Sequence, residues 1–300
     1  MNKYIDEIIK LNVGECLKDE KLSKHTTYKV GGVCNLLVII KEEEKLIKLI
    51  NYLKNNNILF KIIGNGSNLI FSSKRFDGVI IKYNNSNYSI DNNILTVSSG
   101  VNVISLVMKL ARMGYKNLDF ASGLPGCIGG LIFMNAGCYM HDTSEFLISV
   151  DYLNENGKII TVNKDDIGFG YRTSNFKKNI LKGIIISAKF KLDKCDSEIL
   201  LKEIKERKEK RIASQPVTKA TAGSVFKNPE GISAWKVIDD AGLRGYKIGG
   251  AIISNMHSNF IENTGNATGE DIKDLIEYTK KIVKEKFNIE LETEQEFVNF

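Results

Sequence analysis

Short apolar runs rich in β-branched residues recur along the first hundred positions: "NLLVII" (35–40), "FKII" (60–63), "GVIIK" (78–82) and "ILTVS" (94–98). Each is bounded by Gly, Asn or Ser, which is how strands begin and end. Between them the apolar period lengthens from two to 3.6. "EEEKLIKLINYLKNN" (42–56) sets Leu46, Leu49, Ile50 and Leu53 on one helical face, and "VISLVMKLARMG" (103–114) does the same with Leu106, Val107 and Leu110 before stopping at Gly114. The asparagine-rich "YNNSNYSIDNN" (83–93) is turn chemistry and separates two lobes.

Further on, "FLISVDYLNENGKIITVN" predicts a hairpin about Asn156-Gly157, and "GIIISAKFKL" (183–192) predicts another strand. The pattern then turns helical, with one charged helix over 196–213 and a short one from Ser233 to Ala241, ending at Gly242. A strongly amphipathic helix over 268–287 opens with Thr268 and Asp271 at capping-box spacing and carries Ile272, Leu275, Ile276, Ile282 and Val283 in a stripe. The class is α+β. The boundaries divide the chain into 1–83, 84–195 and 196–300.

Composition narrows the function more than the fold. Three hundred residues at 43% hydrophobic content suit two or three domains. Basic residues number 42 against 36 acidic, and the densest run, "KEIKERKEKR" (202–211), interleaves the two signs. That is a solvated helix face rather than a phosphate-tracking surface, so no nucleic-acid partner is expected. Five widely spaced cysteines without a C-x-x-C pair point to reduced thiols and against a zinc site. The N-terminal "MNKYIDEIIKLNVGE" carries acids within its apolar stretch and is not read as a signal peptide, and no apolar run is long enough to span a bilayer. A soluble cytoplasmic protein without membrane insertion is expected, and a monomer is compatible with every feature.

Three glycine-rich or aromatic-flanked stretches carry candidate chemistry. "GNGSNL" (64–69) joins strand to strand, so it is no dinucleotide fingerprint, which needs a helix next. Its bare backbone can hold a phosphate or simply turn. "SGLPGCIGG" (122–130) concentrates four glycines and one of three prolines before the apolar "LIFMNAGCY", which suits the close approach of a flat or phosphorylated ligand or an irregular buried crossover. In "GFGYRTSNFKK" (168–178), Arg172 stands among aromatics, suited to fork onto a carboxylate or to serve as a structural ion-pair partner. The three histidines are too scattered for a metal site. "TAGSVFKNP" (221–229) sets Ser224 beside Gly223 on what reads as a tight turn, with Lys227 and Asn228 as donors behind it.

These stretches, with "HTTYKVGG" (25–32), "IDDAGLRG" (238–245) and "GGAIISNMHSNFIEN" (249–263), resemble in order the sequence blocks of the UDP-N-acetylenolpyruvoylglucosamine reductases. These are FAD enzymes of bacterial peptidoglycan precursor synthesis. The resemblance implies two α+β FAD-binding subdomains of the vanillyl-alcohol-oxidase type, here 1–83 and 84–195. A substrate-binding domain over 196–300 follows, its last strand returning to the active site. It implies NADPH as reductant and a UDP-sugar as substrate.

The same resemblance assigns residues. Gly64, Asn65, Gly66, Ser67, Asn68 and Leu69, with Pro125, Gly126, Ile128, Gly129 and Gly130, would lie along the FAD pyrophosphate. Arg172 matches the family's catalytic arginine, Ser224 its proton donor and Glu294 its acidic residue; Tyr171, Lys227, Asn228 and Asn259 would meet the substrate. The 51 residues between Arg172 and Ser224 leave no room for the extra clamping loop of one subgroup. After Glu294 the family commonly shows Val-Arg, whereas here "QEFVNF" follows. A related flavin oxidase acting on another sugar or alcohol, and a sugar-nucleotide-binding protein without turnover, are the competing expectations.

Overall fold

The apolar runs become strands close to where their bounding residues predict. The computed structural model describes residues 3–300; Met1 and Asn2, part of the N-terminal stretch read above, lie outside the described residues. Two compact units are each assembled from separate chain pieces. The first comprises Met1–Lys18, Asn35–Gly64 and Gly78–Lys208; the second comprises Asp19–Cys34, Asn65–Asp77 and Glu209–Phe300.

The first unit starts with helix α1 (Lys3–Lys10). A four-stranded sheet follows, in the order β1 (Glu15–Lys21), β2 (Val33–Ile40), β5 (Phe76–Tyr83), β3 (Phe60–Ile63). Strands β3 and β5 run parallel, with Phe60 opposite Val79. Helix α2 (Glu43–Asn55) covers the sheet, and its predicted stripe of Leu46, Leu49, Ile50 and Leu53 is wholly buried among Leu36, Val38, Ile40, Val79 and Ile81.

A second, antiparallel sheet has the order β12 (Ile159–Asn163), β11 (Leu147–Asn154), β13 (Gly183–Lys191), β7 (Ile94–Ser98), β6 (Tyr88–Asp91). The β11–β12 hairpin turns at Gly157, where φ is +72°. Strand β6 corrects the reading of 83–93 as turn alone: Tyr88–Asp91 pairs with β7, and Asn92 and Asn93, with φ of +48° and +62°, form the two-residue link. Asparagine tolerates the left-handed region, which a primed hairpin turn needs at both positions.

Helix α3 (Val103–Arg112) is capped by the Asn102 side chain, which accepts from the Ser105 N–H at 2.9 Å. It packs Leu106, Val107 and Leu110 into the larger core. Small elements frame its far side: β8 (Tyr115–Lys116) pairs with β14 (Asp193–Lys194), helix α4 (Ile128–Phe133) leads to the hairpin of β9 (Gly137–Cys138) and β10 (His141–Asp142), and α5 (Thr143–Phe146) follows. The charged helix α6 (Ser197–Ser214) buries only Leu200 and Ile204, both in that core.

In the second unit, β4 (Leu69–Phe71) precedes helix α7 (Ala234–Asp240) and a small antiparallel sheet of β15 (Lys247–Ile248), β16 (Ala251–Ile253) and β17 (Ile261–Asn263). Helix α8 (Gly269–Phe287) has the expected capping box, with Thr268 and Asp271 each bonding the other's backbone. Ile272, Leu275, Ile276 and Val283 are 0% exposed along it. At about 1.5–3 kcal/mol per buried aliphatic side chain, this face outweighs the roughly 1 kcal/mol of the cap, so packing rather than propensity holds the helix. Strand β18 (Glu296–Val298) lies parallel to β4, with Glu296 opposite Leu69.

Candidate active site

Residues 221–229 form no tight turn. They run extended between two other segments of the second unit: Ser224 bridges Phe260 on one side, and Phe226 bridges Thr293 on the other. The Val225 N–H donates to the Asn259 carbonyl at 2.9 Å, and the Val225 carbonyl accepts from the Glu294 N–H at 2.8 Å. Lys227 N–H donates to the Glu292 carbonyl at 2.9 Å. The two residues expected to act as proton donor and acid, Ser224 and Glu294, are thereby held on neighbouring strands, both half-buried. Gly223 has φ of +77° and a Cβ there would meet nothing within 4 Å, so its glycine serves the backbone conformation rather than relieving a clash.

The C-terminal alternation follows the strand period. Leu291 and Gln295 are 5% and 4% exposed, while Glu292 faces solvent and pairs with Lys227 Nζ at 2.5 Å. Lys227, expected at the substrate, is thus engaged in an ion pair. Asn228, expected there too, accepts from the Ala234 N–H at 3.0 Å and helps start α7. Asn259 departs furthest from its expected role. It is 3% exposed, its Oδ1 accepts from the Phe226 N–H at 2.9 Å, and its Nδ2 donates to the Phe226 carbonyl at 2.8 Å. Each amide atom bonds the ribbon, so Asn259 serves there as a strut. Asn68 likewise donates from Nδ2 to the Glu294 carbonyl at 3.2 Å, and its own carbonyl accepts from the Glu296 N–H at 2.9 Å.

Arg172 lies in the first unit at the tip of a tight hairpin, where Gly170 and Thr173 exchange backbone bonds of 3.1 and 3.2 Å. Its φ of +55° is a left-handed conformation that an arginine adopts only when its surroundings impose it. The guanidinium stacks over the Tyr171 ring at 5.1 Å and donates from Nη2 to the Gly137 carbonyl at 2.7 Å. Asn135 fixes the hairpin from below, donating to the Gly170 carbonyl at 3.1 Å. The side chain is therefore oriented in advance, as electrostatic stabilisation of developing charge requires.

The glycine loops differ in what keeps them bare. A Cβ on Gly66 would sit 2.2 Å from the His25 carbonyl oxygen, and one on Gly129 would sit 3.1 Å from Ser99 Cβ, so the protein's own packing demands these two. Gly130 is exposed and a Cβ there would meet nothing within 4 Å. Gly64 faces Cys127, whose Sγ would lie 3.3 Å from an added Cβ. The N–H groups of Ile128 and Gly129 are committed to the carbonyls of Val101 and Ser99 at 3.0 and 2.9 Å. These two N–H groups are thereby engaged within the protein. Near Gly66, Thr27 Oγ1 is buried without a partner while the Thr27 N–H donates to the Gly66 carbonyl. An orphaned buried hydroxyl beside a glycine turn is compatible with a polar ligand there.

Sequence reading missed Tyr28 and Gln295. The Tyr28 hydroxyl donates to Gln295 Oε1 at 3.0 Å, and Gln295 Nε2 donates back to the ribbon. The one available signal was a carboxamide falling on the buried phase of the C-terminal alternation. Among the described residues, no group of His, Cys, Asp and Glu is arranged to hold a metal, and no helix is long and apolar enough to cross a membrane.

A glycine-rich loop over 122–130 in one α+β unit, and a serine and an acid on adjoining strands of the other, define an FAD-dependent oxidoreductase of the vanillyl-alcohol-oxidase fold type. Residues 34–163 match the family model described as FAD binding domain, and residues 215–298 match that of the UDP-N-acetylenolpyruvoylglucosamine reductase C-terminal domain. The chain belongs to the UDP-N-acetylenolpyruvoylglucosamine reductase family. It is 37% identical over 300 residues to the reductase of that name from Bacillus pumilus, covering 99% of each chain. The solved structure of UDP-N-acetylenolpyruvylglucosamine reductase from Thermus caldophilus superposes with a TM-score of 0.80 at 30% identity, over 95% of this chain and 98% of that one. Phl p 4.0202, a glucose dehydrogenase, shares the fold alone, with a TM-score of 0.51 at 12% identity over 65% of this chain and 45% of that one.

Proposed function

We propose that the protein reduces the enolpyruvyl ether of UDP-N-acetylglucosamine enolpyruvate to UDP-N-acetylmuramate, with FAD as cofactor and NADPH as reductant, in peptidoglycan precursor synthesis. Such a reaction places it in the cytoplasm, where both nucleotides are supplied. The observation that carries the reading is the pairing of Ser224 and Glu294 through the 2.8 Å bond between the Glu294 N–H and the Val225 carbonyl. Residues 1–83 and 84–195 supply the cofactor-binding lobes in this reading, and 196–300 the substrate domain.

Bound FAD supplies the hydride that reaches the terminal carbon of the enolpyruvyl group. Charge then builds on the neighbouring carbon and its carboxylate. Arg172, stacked on Tyr171, offers a planar fork to that carboxylate, and Glu294 acts on the same developing charge. Ser224 gives its hydroxyl proton to the α-carbon and regains one from solvent. Gly130, where a Cβ would meet nothing within 4 Å, leaves room for the cofactor.

The test is NADPH consumption under anaerobic conditions, with and without the enolpyruvyl sugar nucleotide. Stoichiometric consumption that depends on the sugar nucleotide is expected. NADPH oxidation indifferent to it, or oxygen uptake with a free sugar or alcohol, would put the protein among the flavin oxidases instead.

A further inference from the structure

Gln295 spends a buried carboxamide where an aliphatic side chain would pack without cost. It is 4% exposed. A buried amide is destabilising unless its donors and acceptor are all used. Here they are. Nε2 donates to three successive carbonyls, those of Ala222 at 3.1 Å and of Gly223 and Ser224 at 3.3 Å each, sharing two hydrogens among three acceptors. Oε1 accepts from the Tyr28 hydroxyl at 3.0 Å.

We propose that Gln295 is a positioning residue for proton transfer: it fixes the peptide units from Ala222 to Ser224 and so aims the Ser224 hydroxyl. The proposal rests on the reading of Ser224 as proton donor. Gly223 is the reason such a clamp is needed. With φ of +77° and open space where a side chain would be, Gly223 itself contributes no packing that fixes the peptide units on either side. Backbone pairing lies on either side of this stretch, with the Ala220 carbonyl accepting from the Asn263 N–H at 2.9 Å, Ser224 bridging Phe260, and Val225 bonding Asn259 and Glu294. The three carbonyls before Val225 converge on one amide.

That amide cannot turn over. Reversing it would point Oε1 at three carbonyl oxygens and Nε2 at a phenol whose proton already faces it. Tyr28 is 0% exposed, and burial pushes its hydroxyl far above the ordinary tyrosine range, so it remains a donor at every working pH. Because Gln295 follows Glu294 directly, one peptide carries the acid and the clamp on the serine. A displacement at either is felt at both.

The experiment compares wild type, Gln295→Met and Tyr28→Phe as purified FAD-loaded proteins, measuring flavin reduction by NADPH and flavin reoxidation by the enolpyruvyl sugar nucleotide separately. Methionine keeps the volume and removes both hydrogen-bonding roles; phenylalanine leaves the amide and removes its anchor. Flavin content and NADPH-driven reduction should stay at wild-type values in both. Reoxidation should slow by about 10-fold in Gln295→Met and about 3-fold in Tyr28→Phe, with KM within about 3-fold of wild type. The solvent deuterium isotope effect on reoxidation should also rise, because a misaimed hydroxyl makes proton transfer limiting where loss of mere packing would not. A folded Gln295→Met with wild-type reoxidation and an unchanged isotope effect would overturn the proposal, as would equal slowing of both half-reactions. If Gln295→Met does not fold, Tyr28→Phe decides on the same criteria. Wild-type protein that never reoxidises with the sugar nucleotide overturns the functional reading itself, and the clamp with it.

Discussion

Truncating Asn259 separates two uses of one side chain. At 3% exposure it holds both the N–H and the carbonyl of Phe226, at 2.9 and 2.8 Å. Asn259→Ala leaves a buried donor and a buried acceptor unpaired, each costing about 1–3 kcal/mol. The combined loss, roughly 3–5 kcal/mol with partial relaxation, is a large share of the 5–15 kcal/mol that typically separates folded from unfolded states. Trp235, the only tryptophan in the chain, reports on this region: its carbonyl accepts from Ser258 Oγ at 2.6 Å and its ring lies 6.2 Å from that of His257. Urea unfolding followed by its fluorescence should show a midpoint shift of that size with an unchanged slope. A ligand contact predicts the reverse, with wild-type stability and a raised KM. A loss below about 1 kcal/mol with impaired substrate binding would refute the strut and restore the contact.

Ser224→Ala should be reduced by NADPH at a near-normal rate but reoxidised by substrate about 10²-fold more slowly; equal slowing of both steps would make the serine structural. Arg172→Lys should keep its FAD and lose about 10²-fold in the substrate half-reaction, since lysine has neither the fork nor the stack on Tyr171. Full activity in that variant would reduce Arg172 to a tie to Gly137. The glycine loops give a contrast readable by thermal melting and flavin absorbance: Gly66→Ala should unfold the second unit early, because its Cβ meets backbone at 2.2 Å, while Gly130→Ala should melt normally and bind FAD more weakly. His257 provides the pH test. Burial lowers its pKa below 6.5, and its Nδ1 accepts from the Asn259 N–H at 3.3 Å. The unfolded chain therefore takes up this proton first, so stability should fall as pH drops below about 6.5 and level off once the folded imidazole also protonates. His257→Phe should flatten that limb of a denaturation series.

Local pattern was enough wherever an element's reason for existing is local. "FKII" and "ILTVS" are strands over their quoted residues, and Thr268 and Asp271 close the predicted capping box. The pattern was insufficient where pairing decides. "YSID" hid as β6 inside an asparagine-rich run whose composition outweighs a four-residue alternation. The three residues of β4 carry no signal of a parallel partner so far along the chain. In the candidate site, the family resemblance rather than residue type or spacing singled out Ser224, Arg172 and Glu294, and the shape of the ribbon around Ser224 depends on Asn259 and Gln295. A carboxamide's partners cannot be read from its neighbours in sequence.

The pairing of β4 with β18 also sets an order of events during synthesis. Ser72 Oγ donates to the Asn299 carbonyl, its partner 227 residues away. At roughly 5–20 residues per second, a nascent chain holds the β4 segment on the order of 10–40 s before its partner emerges from the ribosome. The first unit ends at Lys208 and has all its pieces well before then, whereas the second unit's early pieces, Asp19–Cys34 and Asn65–Asp77, must wait. Through that interval the apolar Leu69, Ile70 and Phe71 are without their native strand partner, a state that invites chaperone binding or mispairing. Ser224 and Glu294 therefore come together only after residue 294 has been made, so a ribosome-stalled chain that stops before residue 289 should lack the pairing of the 221–229 segment with 292–294.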